Sequence, residues 1–237
     1  MLAVIPYFPP VSFPIGSWTL GLWEILVATA FIVGMEIARA RGIQAGLDVR
    51  DIVDGVVVTV GMGFVGGHLL HVLGYHPELI EEEGWITLLK VWAGLSSTGG
   101  FLGAIVGSVL FYKVFRKRDY WAHADHVGFA FPFAWTIARL GCFSAHDHVG
   151  VRSDFFLAVD FPGGARHDLG LYEALWSAVI AATFFALRGT PRKPGFYLAL
   201  LVTMYAPVRF VLDFLRSTDM DNSDMRCLLY TSPSPRD

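Results

Sequence analysis

The chain has 237 residues, a net charge of −3 and a mean hydropathy of +0.51, with 54% hydrophobic and only 16% charged residues. Soluble domains carry roughly 25% charged residues, so this composition points to an integral membrane protein and excludes a soluble or nucleic-acid-binding role. Cys142 and Cys227 are too few for a disulfide framework.

The apolar residues come in blocks separated by short charged segments, and each block has roughly the 20 residues that a helix needs to cross a hydrocarbon core of about 30 Å. A spanning segment must satisfy its own backbone polar groups. The expected fold is therefore all-α, a polytopic integral membrane helical bundle with at least six transmembrane helices and a small external insertion.

Residues up to Ile15, with Pro6, Pro9, Pro10 and Pro14, read as an irregular or interfacial lead-in. The first span is Trp18 to Ala38, and the second is Ile52 to Leu73, whose small residues in G-M-G-F-V-G-G suit close helix approach. Gly74 to Gly84 carries Glu78, Glu81, Glu82 and Glu83. Trp85 to Trp92 is amphipathic and suits the membrane interface. The later spans are Gly94 to Val114, His126 to Phe143, Leu171 to Leu187 and Phe196 to Leu215, with Ser144 to Leu169 as the one substantial insertion.

Basic residues sort by side. Loops after spans one, three and five hold Arg39, Arg41, Arg50, Lys113, Arg116, Lys117, Arg118, Arg188, Arg192 and Lys193, against Lys90, Arg152 and Arg166 in the loops after spans two and four. The positive-inside rule then places the N-terminus and the insertion outside. Residues 1–226 read as one transmembrane unit. The last residues, 227–237, are polar and proline-bearing, resemble translated adapter sequence, and are expected to be non-native, with the native chain continuing past about Arg226.

Two arginines fall inside spans, Arg139 and Arg209. Each lies about 13 residues from the cytoplasmic start of its expected helix, about 20 Å up at 1.5 Å per residue. An intramembrane charge is a functional-site hypothesis by default, and two guanidinium groups at one depth suit a phosphate, which they bind bidentately. The plainer alternatives are a helix-face pair of Arg209 with Asp213 and snorkelling of Arg139. His68 and His71 read as packed between helices, His123 and His126 as capping residues, and Cys142 as a small core residue. The alternating run His146, Asp147, His148 lacks the spacing of a metal site, so no metal is expected.

The runs L-S-S-T-G-G-F-L-G (Leu95 to Gly103), R-L-G-C-F-S-A-H-D-H-V-G (Arg139 to Gly150), R-H-D-L-G-L-Y-E-A-L (Arg166 to Leu175) and the segment from Lys193 to Arg216 stand in the order of known motifs, with P-I-G-S-W and G-G-H-L-L-H-V-L before them. In that order they resemble bacterial prolipoprotein diacylglyceryl transferase.

The resemblance implies a multi-pass enzyme of the bacterial plasma (inner) membrane, without a cofactor. It would move the diacylglyceryl group of phosphatidylglycerol onto the lipobox cysteine of prolipoproteins and release glycerol phosphate. Its partners would be phosphatidylglycerol, prolipoprotein signal peptides and membrane lipids, with no nucleic acid. By motif position, Arg139 and Arg209 match the family's arginines, Asp147 its glutamate, Tyr205 its tyrosine and Gly150 its closing glycine. His167, Tyr172 and Glu173 match H-P-S-Q-L-Y-E. Thr98, before Gly99 and Gly100, stands at the family's histidine, Cys142 and Ala145 at its asparagines, and His146 at its glycine. His146, His148 or His167 would then supply the base. The sequence alone also admits a related enzyme with another acceptor, or a protein that binds or transports phospholipid.

Overall fold

A computed structural model describes residues 5–16, 18–91 and 94–217; the expected non-native tail lies outside the described residues. Among the described residues five helices are long and apolar enough to cross a membrane: Val49–Tyr75, Ser97–Phe115, Tyr120–Ala145, Leu169–Leu187 and Phe196–Asp213. The first expected span differs. Trp18–Gly21 forms strand β3, paired with β2 (Ser12–Ile15), and the helix α1 starts only at Leu22 and runs to Gln44. Its 23 residues make a rod of about 34 Å, but Glu24, Glu36, Arg39 and Arg41 interrupt its apolar surface.

The chain divides into two compact units. One is Ala38–Val127. Helix α2 (Val49–Leu70) is capped by Asp48, whose carboxylate accepts from Arg50 N at 2.9 Å, and it continues as a wide turn over His71–Tyr75. A short acidic helix α3 (Glu78–Glu83) follows, then a tight turn, Trp85–Leu89. In that turn Trp85, Ile86 and Leu89 are exposed while Thr87 is buried. Helix α4 (Ser97–Val109) packs on α2 through glycine. A Cβ on Gly66 would lie 2.6 Å from Gly99 O and 2.7 Å from the Gly103 Cα, so only glycine permits this approach. His68 is fully buried, with Nδ1 3.1 Å from Gly94 O and Nε2 2.8 Å from Thr87 O. It is a packed histidine, as the sequence suggested. Buried Asp51 pairs with Arg118 at 2.6 Å, and Arg116 pairs with Asp54.

The other unit takes the chain up to Ile37 and from Gly128 on. Helix α5 (Tyr120–Ala145) begins six residues before the expected His126, because Asp119 accepts from Trp121 N and starts the helix early. Helices α6 (Leu169–Leu187) and α7 (Phe196–Asp213) follow, and Phe129, Ile180, Phe184, Tyr197, Leu201 and Tyr205 form their shared core. The expected insertion is a small sheet. Strands β4 (Val149–Arg152), β5 (Val159–Phe161) and β6 (Gly164–Asp168) are antiparallel neighbours through β6. The proline-rich lead-in is not wholly irregular, since β1 (Ile5–Pro6) joins β5 in parallel.

Candidate active site

Asp168 caps α6 by accepting from Leu171 N at 3.3 Å, which fixes where that helix starts and puts Glu173 in its second turn. Glu173 then faces both intramembrane arginines. Its Oε2 lies 2.7 Å from Arg139 Nε on α5, and its Oε1 lies 3.0 Å from an Arg209 amine on α7. Tyr205 donates its hydroxyl to Glu173 Oε2 at 2.9 Å and accepts from Trp135 Nε1 at 3.0 Å. The Arg139 guanidinium stacks 4.4 Å from the centre of the Trp135 ring.

The arginines thus share one site, as their expected common depth implied. Arg139 does not snorkel: its side chain is 4% exposed and that of Glu173 is 2%. Arg209 keeps 19% exposure and also reaches Asp213 at 3.8 Å, so its helix-face pair exists beside the pair with Glu173. Asp213 binds Arg216 at 2.9 Å. Arg139, Arg209 and Arg216 face Glu173 and Asp213, and Arg139 also pulls on the Asp147 carboxyl. An arginine at a bilayer centre costs about 2.5–3.5 kcal/mol on insertion scales; pairing offsets that cost, and the exposed side of Arg209 favours an anion.

The stretch after Arg139 leaves the helix at His146, whose φ is 52°, in the left-handed region that favours glycine. This explains why the resembling family has glycine there. Here the strain is carried by contacts. His146 Nδ1 lies 2.7 Å from Asp168 Oδ2 and Nε2 lies 3.1 Å from Phe8 O, inside a ring of Tyr7, Phe8, Phe143 and Phe161. Both nitrogens face acceptors, so His146, expected as a base, is held by these contacts. It braces the lead-in against α6.

Cys142 Sγ accepts from an Arg139 amine at 3.6 Å. One ligand-type atom from each of Cys142, Asp147 and His148 lies within 4.8 Å of the other two. The guanidinium against the sulfur opposes a dication in this trio, and it is assigned no metal. Burial pushes the Asp147 carboxyl up to about 6, against the pull of Arg139. His148 is held well below its ordinary value by burial and by Arg139, Arg216 and Arg209.

His167 Nδ1 lies 2.7 Å from the Tyr172 hydroxyl, which in turn lies 3.3 Å from Leu157 O, and burial lowers its pKa. Gly150 is required sterically. A Cβ there would lie 2.6 Å from Leu215 O and 2.9 Å from the His167 Cβ, where β4 meets the chain after α7. Thr98, Gly99 and Gly100 belong to the Ala38–Val127 unit, in the first turn of α4, where Ser96 Oγ accepts from Gly99 N at 3.4 Å.

Three contributors to the site were not expected from the sequence: Arg216, the Trp135 support for Arg139, and the Asp168 cap. Helical spacing carries a signal for one of them: Trp135 lies one turn before Arg139.

The sequence profile of the prolipoprotein diacylglyceryl transferase family matches residues 10–232. The phosphatidylglycerol–prolipoprotein diacylglyceryl transferase of Pasteurella multocida is 32% identical over 223 residues, covering 90% of this chain and 81% of that protein. Those of Mannheimia succiniciproducens and Vibrio vulnificus are each 31% identical over 90% of this chain, covering 82% and 81% of those proteins. A match over nearly the whole chain, together with paired arginines among membrane-length helices, makes this protein a member of the prolipoprotein diacylglyceryl transferase family.

Proposed function

We propose that the chain transfers the diacylglyceryl group of phosphatidylglycerol to the thiol of the lipobox cysteine in prolipoproteins, in the bacterial inner membrane, with its N-terminus outside. Beside the family membership, the observation that carries this reading is the Glu173 carboxylate held between Arg139 and Arg209. A carboxylate between two guanidinium groups marks a place built for an anion. The phosphate of the lipid meets Arg209 first, on its exposed side, with Arg139 behind it.

The acceptor thiolate attacks the glycerol carbon that bears the phosphate ester. The carbon–sulfur bond forms, the carbon–oxygen bond breaks, and glycerol phosphate leaves with the bonding pair. Charge grows on the leaving oxygen, where fixed guanidinium groups stabilise it most in a water-poor site. Glu173 and Tyr205 keep the arginines in register. Asp147, Cys142, Tyr172 and His167 line or support the route for the thiol, and Thr98 to Gly100 contribute to lipid binding.

The test uses the protein in phosphatidylglycerol vesicles with a lipobox peptide. The expected result is a diacylglyceryl mass shift on the peptide and release of glycerol phosphate, both lost at least about 100-fold in Arg139→Ala and Arg209→Ala. A folded protein that binds the lipid without mass shift or headgroup release would overturn the transferase in favour of a phospholipid-binding protein.

A further inference from the structure

Resting on the transferase reading, we propose that His148 is the general base that takes the proton from the acceptor thiol. The thiol proton needs an acceptor that titrates near neutrality, and imidazole is the side chain that does so. Three histidines stand on or beside the altered stretch, and their surroundings separate them. His146 has both ring nitrogens committed, to Asp168 and to Phe8 O. His167 is tied to the Tyr172 hydroxyl, and burial alone shifts it. Among the described residues the His148 ring is engaged only by its neighbour Asp147, through that residue's backbone and, more distantly, its carboxylate. Its Nδ1 lies 3.8 Å from Asp147 Oδ1, and its side chain keeps 13% exposure.

His148 is also placed against the anion site. Its carbonyl accepts from Leu169 N at 2.9 Å, which ties it to the first residue of the helix that carries Glu173. A ring nitrogen lies within 4.8 Å of Cys142 Sγ, the atom that meets Arg139 at 3.6 Å. The charged and titratable groups acting on the ring are Arg139 and Cys142 from α5, Arg209 from α7, Arg216 just beyond α7, and Asp147 from its own loop. Burial first, and then the three guanidinium groups, keep the imidazole neutral, so that one ring nitrogen carries a lone pair.

The same arrangement couples base strength to substrate. When a phosphate settles on the arginines, its negative charge cancels part of the field on His148, and the ring holds a proton more tightly. Lipid binding therefore makes the base stronger at the step that needs it. The thiol proton moves to the ring nitrogen as sulfur attacks the glycerol carbon. After the carbon–oxygen bond breaks, the leaving phosphate takes that proton and His148 returns to neutral.

The experiment measures transfer to a lipobox peptide by the full chain in phosphatidylglycerol vesicles, with lipid affinity measured in parallel. His148→Gln is expected to lower kcat at least about 100-fold, the usual worth of a positioned base, while phosphatidylglycerol affinity stays within threefold. His148→Ala is expected to regain activity when imidazole is added, which a purely structural histidine would not allow. A parent that works while His148→Gln stays within threefold of it overturns this assignment alone. So does a folded His148→Ala that imidazole does not restore. A folded parent without transfer overturns the transferase reading itself.

Discussion

In the Ala38–Val127 unit the helices meet backbone to backbone, with Gly66 of α2 set against Gly99 and Gly103 of α4. Around Glu173 the helices meet through charge, with Arg139, Glu173 and Arg209 each supplied by a different helix. Lipid tails are as apolar as leucine, so neither unit can rely on water to press its helices together. The glycine contact relies on close packing and needs no titratable group. The charged contact relies on ion pairs that are strong only while complete, and it leaves a cation partly exposed for a ligand. Packing can hold a scaffold, but only the second arrangement can hold a reactive site.

The largest effect expected from breaking this contrast is in Glu173→Ala. It leaves two arginines facing each other without their shared counter-charge, and loss of one partner of a buried pair costs about 3–5 kcal/mol. A thermal melt in detergent micelles should fall steeply, with transfer activity lost along with it. A melt within a degree or two of the parent would show that the charged contact does not hold these helices. Gly66→Leu should cost less, about 1–3 kcal/mol for overpacking, read in the same melt. Gly61→Ala, on the same helix with nothing within 4 Å of its added Cβ, is the matched control and should change the melt by less than about 0.5 kcal/mol.

Much of this contrast was legible in the residues. The G-M-G-F-V-G-G run announced close packing, and Arg139 and Arg209 announced a site because a charge inside an apolar block is too costly to keep without a use. Glu173 was legible only through its motif, since one acidic residue near a helix start does not reveal that it bridges two other helices. The insertion was harder. Strands of three to five residues with mixed burial carry little periodicity, and β1 pairs with a partner more than 150 residues away, at Val159. The bracing contacts of His146 were not legible, because its pattern, a polar residue at a helix end, is the same for a base and for a brace. Only the positions of Asp168 and Phe8 decide between them.

The smallest effect concerns Asp147, at the edge of the charged unit. Burial raises its carboxyl to about 6, from an ordinary value of 3.8. Below about pH 4 the group is protonated whether the chain is folded or not, and it contributes nothing to the balance. As pH rises toward 6 the unfolded chain sheds this proton first, so the folded state binds more protons and loses stability until both are ionised. The penalty is therefore present above pH 6 and absent below pH 4. Because the side chain is 36% exposed, solvent screening holds the penalty to about 1 kcal/mol or less. Asp147→Asn removes it, so the melt of this variant relative to the parent should rise by a degree or two at pH 7 and not at pH 4. Equal shifts at both pH values would mean that Arg139 pairs the carboxylate well enough for it to ionise in the folded chain as it does in the unfolded one.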